Sequence, residues 1–206
     1  MIYASAVRRI IQASAGIEYV GGKVVTGASA FDTTGLTGGI GTQAEAGDFI
    51  LIYRSAPSAM PALTDFIQVI GRAQTNTTYK TYFSVDKRIA AAAGESLSAS
   101  ASHLVMMVFR GVSDVEKSAV SGGTNGILTP PAITPVAPGA IIVAGGASNN
   151  GAIVNSPPAG ALYSVVNATS NNMDIGMCVG TTAAWSTTGA QSGSSKCMAS
   201  VVLAPV

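Results

Sequence analysis

Leu104-Val105-Met106-Met107-Val108-Phe109 is the most apolar run in the chain, and it ends at Arg110-Gly111. Apolar at successive positions and closed by a turn signal, it predicts a central strand. Phe49-Ile50-Leu51-Ile52-Tyr53, which follows Gly47-Asp48, has the same character and predicts a strand covered on both faces. Tyr79 to Ile89 alternates instead. Tyr79, Thr81, Phe83 and Val85 share one face of a strand, and Lys80, Tyr82, Ser84 and Asp86 share the other. The first face belongs in a core; the second is expected in water or at an interface.

Working outward, the same texture runs from Gly16 to the end, as short apolar stretches separated by turn residues. Ile17-Glu18-Tyr19-Val20 and Lys23-Val24-Val25 read as two short strands about a Gly21-Gly22 turn. Further strands are expected at Leu63 to Ile70, Ala140 to Ala144, Ala161 to Val166, Met173 to Val179 and Met198 to Leu203. Thr33 to Ala46, rich in Gly and Thr, reads as loop, and Ile89 to Ala93 as a strand end or turn. Pro130, Pro131, Pro135 and Pro138 make their stretch a connection, because proline cannot donate to a ladder. Roughly eight to ten antiparallel strands without helices close most readily as two packed sheets. The expected fold is therefore all-β, an antiparallel β-sandwich spanning 17–206 as one domain. Residues 1–16 are expected to form a short N-terminal arm or helix, with Ala4, Val7, Ile11 and Ala15 at helical spacing. That segment either covers a sheet edge or docks on a neighbouring subunit.

Composition narrows the function classes. The 206 residues carry 11 Lys+Arg against 10 Asp+Glu, a net charge of +1, and only 10% are charged. A soluble domain usually carries about 25%. Duplex nucleic acid and anionic membranes are not expected as partners, since both require clustered basic residues. MIYASAVRRIIQASAG (Met1–Gly16) has no basic region ahead of an apolar run, and Arg8 and Arg9 interrupt what would be a signal core, so no leader is expected. No apolar stretch approaches the ~18 residues of a membrane span. A surface with so few charges and so much Ser, Thr, Gly and Ala suits a subunit that hides its flanks in an assembly.

Residues able to carry chemistry are few. His103 is the only histidine, and a general base or metal ligand needs partners that the sparse carboxylates do not supply, so it reads as a residue at the start of a strand. A glycosidase requires two carboxylates ~5–10 Å apart across a cleft. Glu45, Asp48, Asp65, Asp86, Glu95, Asp114, Glu116 and Asp174 offer no pair the sequence selects; Asp114-Val115-Glu116 reads as solvated turn acids after Gly111. Gly189 to Lys196 departs from a phosphate loop, because Lys196 follows Gly193 by three residues and a strand comes next. Cys178 and Cys197, without a CxxC or a histidine cluster, exclude zinc in practice. They fall in the last two expected strands, which are expected to pair, and admit a cross-strand disulfide, two buried thiols or an interchain bridge; two thiols are the favoured expectation. No catalytic residue, cofactor or metal is expected.

Ala46-Gly47-Asp48 with Phe49 to Tyr53, Tyr79 to Val85, Leu104 to Val112, Ala140 to Ala144, and the closing Met198-Ala199-Ser200-Val201-Val202-Leu203-Ala204-Pro205 form an ordered series. This series resembles small jelly-roll-like β-sandwich structural proteins in the virions of tailed bacteriophages and in gene-transfer particles. The resemblance runs from about Ile17 to the end; the tryptophan such proteins often carry near the last strand is matched only by Trp185, in the preceding loop. It implies a virion protein made in the host cytoplasm: a head-decoration, neck or tail-attached subunit. Such a subunit acts through contacts with other virion proteins, as a homo-oligomer and not as an enzyme. The residues are compatible with structural roles: Asp48 can cap backbone N–H groups and Arg110 can reach loop carbonyls. The alternative is a carbohydrate- or host-receptor-binding sandwich using exposed aromatics. Tyr19, Tyr53 and Tyr82 are available for it, and Tyr163 and Trp185, which border loops, are the favoured candidate glycan contacts.

Overall fold

A computed structural model describes residues 16–27, 30–76, 78–98, 100–101, 103–124, 128–149 and 195–206 in full, and the backbone of 126–127, 153–154, 162–166, 172–178 and 186–189. The proposed arm over the first 15 residues lies outside these. In chain order the first half contains β1 (Glu18–Thr26), β2 (Ala30–Asp32), β3 (Phe49–Ala56), β4 (Ile67–Thr75), β5 (Lys80–Ile89), β6 (Ser96–Ser98) and β7 (His103–Arg110). The second half contains β8 (Val112–Thr124), β9 (Gly126–Leu128), β10 (Ile141–Asn149), β11 (Ile153–Val154), β12 (Leu162–Val166), β13 (Asn172–Cys178), β14 (Ser186–Gly189) and β15 (Ser195–Pro205). One five-stranded sheet has the order β1-β7-β3-β5-β4, and the other β12-β13-β10-β15-β8. The pairings within both are antiparallel. The protein is an all-β antiparallel sandwich.

The main core lies between the sheets, where Phe49, Leu51, Tyr53, Val105, Met107 and Phe109 meet Ile141, Val143, Ala199, Val201 and Leu203. Polar bonds stitch the same space. Tyr53 Oη donates to the Val143 carbonyl at 2.9 Å, Thr81 Oγ1 to the Ser195 carbonyl at 2.8 Å, and Asn149 Nδ2 to the Lys80 carbonyl at 2.8 Å. The outer face of the first sheet carries a second core: Ile50, Ile52, Leu104, Met106 and Val108 lie under Phe31, Leu36, Ala44, Leu63 and Leu97 from loops and from the small β2–β6 pair. Over the second sheet, Ile133 and Ala137 of the proline-rich connection cover Ile142, Ala144 and Val202. Coverage on both sides is why β3 and β7 read as unbroken apolar runs.

Several local expectations change. No turn forms at Gly21-Gly22: β1 runs straight through, with its register against β7 shifted between Tyr19 and Gly21. The reason lies downstream, in the 33–46 loop, which returns along β1. Gly22 and Thr37 exchange backbone bonds of 2.9 and 3.0 Å, and Gly41 N donates to the Val20 carbonyl at 2.9 Å. A Cβ on Gly39 would run into the Val20 backbone, so this close approach requires glycine. The strand expected at Leu63 to Ile70 begins only at Ile67; Leu63 joins the outer core, and Asp65 (φ +62°) turns the chain. Asp114 and Glu116 lie within the 13-residue β8 rather than in a turn, because Gly111 (φ +73°) reverses the chain at once. Register shifts along β8 scatter its few valines and erase the two-residue period.

Gly111 is also where a Cβ would collide with the Gly16 carbonyl oxygen, whereas Gly47 (φ +91°) has open space around the same atom. Gly111→Ala is expected to destabilise the fold by about 2 kcal/mol or more and Gly47→Ala by about 1 kcal/mol. Urea denaturation of both variants measures the difference, and equal losses would contradict the packing assigned to Gly111.

Candidate functional site

The sequence candidates do not converge. Tyr163 lies in β12 opposite Gly176, but its side chain, and all of Trp185, fall outside the described residues. Tyr19 and Tyr53 are buried in the inter-sheet core, so neither offers a ring to a ligand. Burial raises the pKa of the Tyr19 hydroxyl. Cys178 is opposite Ile142 and Cys197 opposite Ala147, on the two flanks of β10. Two strand spacings of ~4.8 Å and five residues at ~3.3 Å separate them, beyond the reach of a disulfide. The last two expected strands, now β13 and β15, do not pair with each other, because β10 lies between them. Cys197 is a buried free thiol whose pKa burial pushes up to about 12.

His103 is the first residue of β7 and stands opposite Ser55 of β3. Both are buried, and His103 Nδ1 and Ser55 Oγ each lack a hydrogen-bond partner, so they form no nucleophile–base couple. Burial lowers the His103 pKa below its ordinary 6.5. Asp114 and Glu116 also diverge. Asp114 pairs with Lys87 of the opposite sheet, while Glu116 accepts the Val136 and Ala137 N–H groups at 2.7 and 2.8 Å. These partners hold both carboxyls below their ordinary pKa. Among the described residues, no three His, Cys, Asp or Glu side chains stand together to hold a metal ion.

Instead, acidic groups tie loops to strands. Asp48 receives Arg110 through two bonds of 2.9 Å and caps the Glu45 N–H at 2.9 Å. The guanidinium expected to meet loop carbonyls thus meets the aspartate of the other turn motif. Asp32 takes Lys23 Nζ at 2.9 Å and the Thr34 N–H and hydroxyl at 3.0 and 2.8 Å, which lowers its pKa to about 2. Arg88 reaches Glu95 at 2.7 Å.

One polar cluster stands apart, on the face of β5 expected to be wet. Ser84 and Asp86 are buried there, beside Arg54 of β3. Arg54 Nε donates to Asp86 Oδ2 at 2.8 Å, Ser84 Oγ donates to the same oxygen at 2.8 Å, and Arg54 Nη1 donates to the Pro61 and Ser100 carbonyls at 2.7 and 3.4 Å. Nothing in the alternation of Tyr79 to Ile89 identifies this cluster, because its cation comes from β3 and its cover from the loop after it. Above lies a groove of about 240 Å³, lined by Arg54, Met60, Gln68, Ala73, Tyr82 and Ser84. It combines a fixed guanidinium, a carboxamide, an aromatic ring and apolar walls, which suits binding rather than bond-breaking.

Two tests follow. Asp86→Ala leaves a buried cation unpaired and is expected to cost about 3–5 kcal/mol, while Arg54→Met with Asp86→Leu is expected to cost less than the single change. A double variant less stable than Asp86→Ala in urea would contradict this. Burial lowers the His103 pKa in the fold, so as pH falls through its unfolded pKa the unfolded chain binds more protons than the folded one and stability falls. The urea midpoint should drop between about pH 7.5 and about pH 5.5, above the range of the carboxylates, and drop less in His103→Gln; identical profiles would rule out the histidine as the cause. No family model, curated protein or solved structure matches the chain.

Proposed function

We propose that this chain is a structural subunit of a tailed-phage-type particle, a head-decoration, neck or tail-attached protein. It works through contacts with its own copies and with other virion proteins, and it transforms no molecule. The observation that carries this reading is the employment of its ionisable groups. Asp32, Asp48, Asp86, Glu95, Asp114 and Glu116 each hold a strand or loop in place. Little charge is left to keep an isolated copy apart from its neighbours. Ile67 and Ile89 stand 65% and 50% exposed beside a cleft of about 190 Å³ floored by Phe49 and edged by Lys87 and Asp114. An apolar pair rimmed by an ion pair has the anatomy of a subunit contact. The resemblance in the ordered strand motifs supports the same setting.

The test is a pair of measurements on the full chain. Light scattering should give a defined oligomer, and the purified protein should bind particles assembled without it. Ile67→Asp, at an exposed position, should weaken both associations by tenfold or more, about 1.4 kcal/mol or more, while leaving the fold intact. A protein that stays monomeric at every concentration and does not bind such particles would overturn the proposal.

A further inference from the structure

The Arg54 groove has features that the assembly reading does not use. Arg54 is 2% exposed, and three hydrogen bonds fix its guanidinium plane through Nε and Nη1. No described residue accepts a hydrogen bond from Nη2, although Arg54 lines the groove. Its charge is already matched by Asp86 at 2.8 Å. A second anion placed here would meet a neutral pair with a carboxylate at its back, so the free N–H edge favours an uncharged acceptor. Gln68, paired in register with Asp86, lays its carboxamide over the bare Cα of Gly71, and it too has no partner among the described residues. The missing Cβ of Gly71 therefore leaves room for that carboxamide. Tyr82, half-buried, and the apolar side chains of Met60, Ala62 and Ala73 complete the lining.

This lining is amphipathic: rigid planar donors and a donor–acceptor amide share it with a ring and aliphatic carbon. A sugar ring has the matching construction, with hydroxyls around its edge and C–H groups on its faces. The groove's volume, about 240 Å³, is of the scale of one such ring and below that of most drug-sized sites. We propose that this groove binds a single uncharged hexose unit, with Arg54 Nη2 and the Gln68 carboxamide engaging neighbouring hydroxyls while a C–H face rests on Tyr82. This places the glycan contact on the outer face of the first sheet, independent of Tyr163 and Trp185 and of whether the chain assembles.

The experiment titrates the full chain with glucose, galactose, mannose and N-acetylglucosamine, and with glucuronate as the charged comparator. The Arg54 Nε–H and Gly71 N–H resonances are followed by NMR. At least one neutral sugar should shift both signals saturably, with a dissociation constant on the order of millimolar, as fits a one-ring ligand. Two exposed positions supply the variants: Ala73→Phe fills the groove, and Gln68→Ala removes the carboxamide. Neither touches the buried ion pair, and each should weaken binding by tenfold or more while the rest of the spectrum is retained. The proposal is overturned if no neutral sugar shifts these resonances, if the shifts persist unchanged in Ala73→Phe, or if glucuronate alone binds.

Discussion

Two sheets packed face to face bury only one side of each other. A chain whose central strands are apolar on both sides must find the second cover elsewhere, and this constraint organises the molecule. All eight residues of β3, and seven of eight in β7, are buried. The opposite sheet covers one side and the chain's own loops the other. Those loops contribute few apolar residues of their own. They are therefore held by ion pairs and backbone bonds, and the small number of charges in the sequence is concentrated in that task.

The Asp48–Arg110 pair shows the arrangement most clearly. Phe49 and Phe109 are register partners on β3 and β7, so the residues just outside them emerge at the same end of the sheet. Asp48 then closes its own turn through the Glu45 N–H and locks the neighbouring strand end through Arg110. Two short motifs that look like separate turn signals in the sequence are two halves of one fastening. Its contribution comes from bidentate geometry and from an aspartate that is nearly buried, although the arginine keeps contact with water.

The parts of this fold legible in sequence are those fixed by composition over a few residues. Leu104 to Phe109 and Phe49 to Tyr53 could only be buried strands, and Pro130 to Pro138 could only be a connection. What could not be read depends on partners distant in the chain. Gly21-Gly22 has the chemistry of a turn, yet Thr37 and Gly41 pair with the backbone around it and keep β1 extended. In β8 the valines at 112, 115 and 120 lose their period through register shifts against β15. The Arg54 groove was the least legible feature. Its lining comes from β3, the following loop, β4 and β5, so no window of sequence contains its pattern. Ser84 and Asp86 look like the wet face of an alternating strand until Arg54 and the 57–63 loop are placed over them.

Each large sheet is built from one continuous half of the chain, with the changeover at Gly111. During synthesis, β1 to β7 therefore leave the ribosome with their shared inner face still bare. Apart from the valines of β8, its covering residues, from Ile141 to Leu203, arrive at least thirty positions later. Rows of Phe, Tyr, Val and Met stay open to solvent for that interval, the condition under which nascent β-proteins adhere to one another. The order in which the chain fills its layers thus makes early production the stage of greatest exposure.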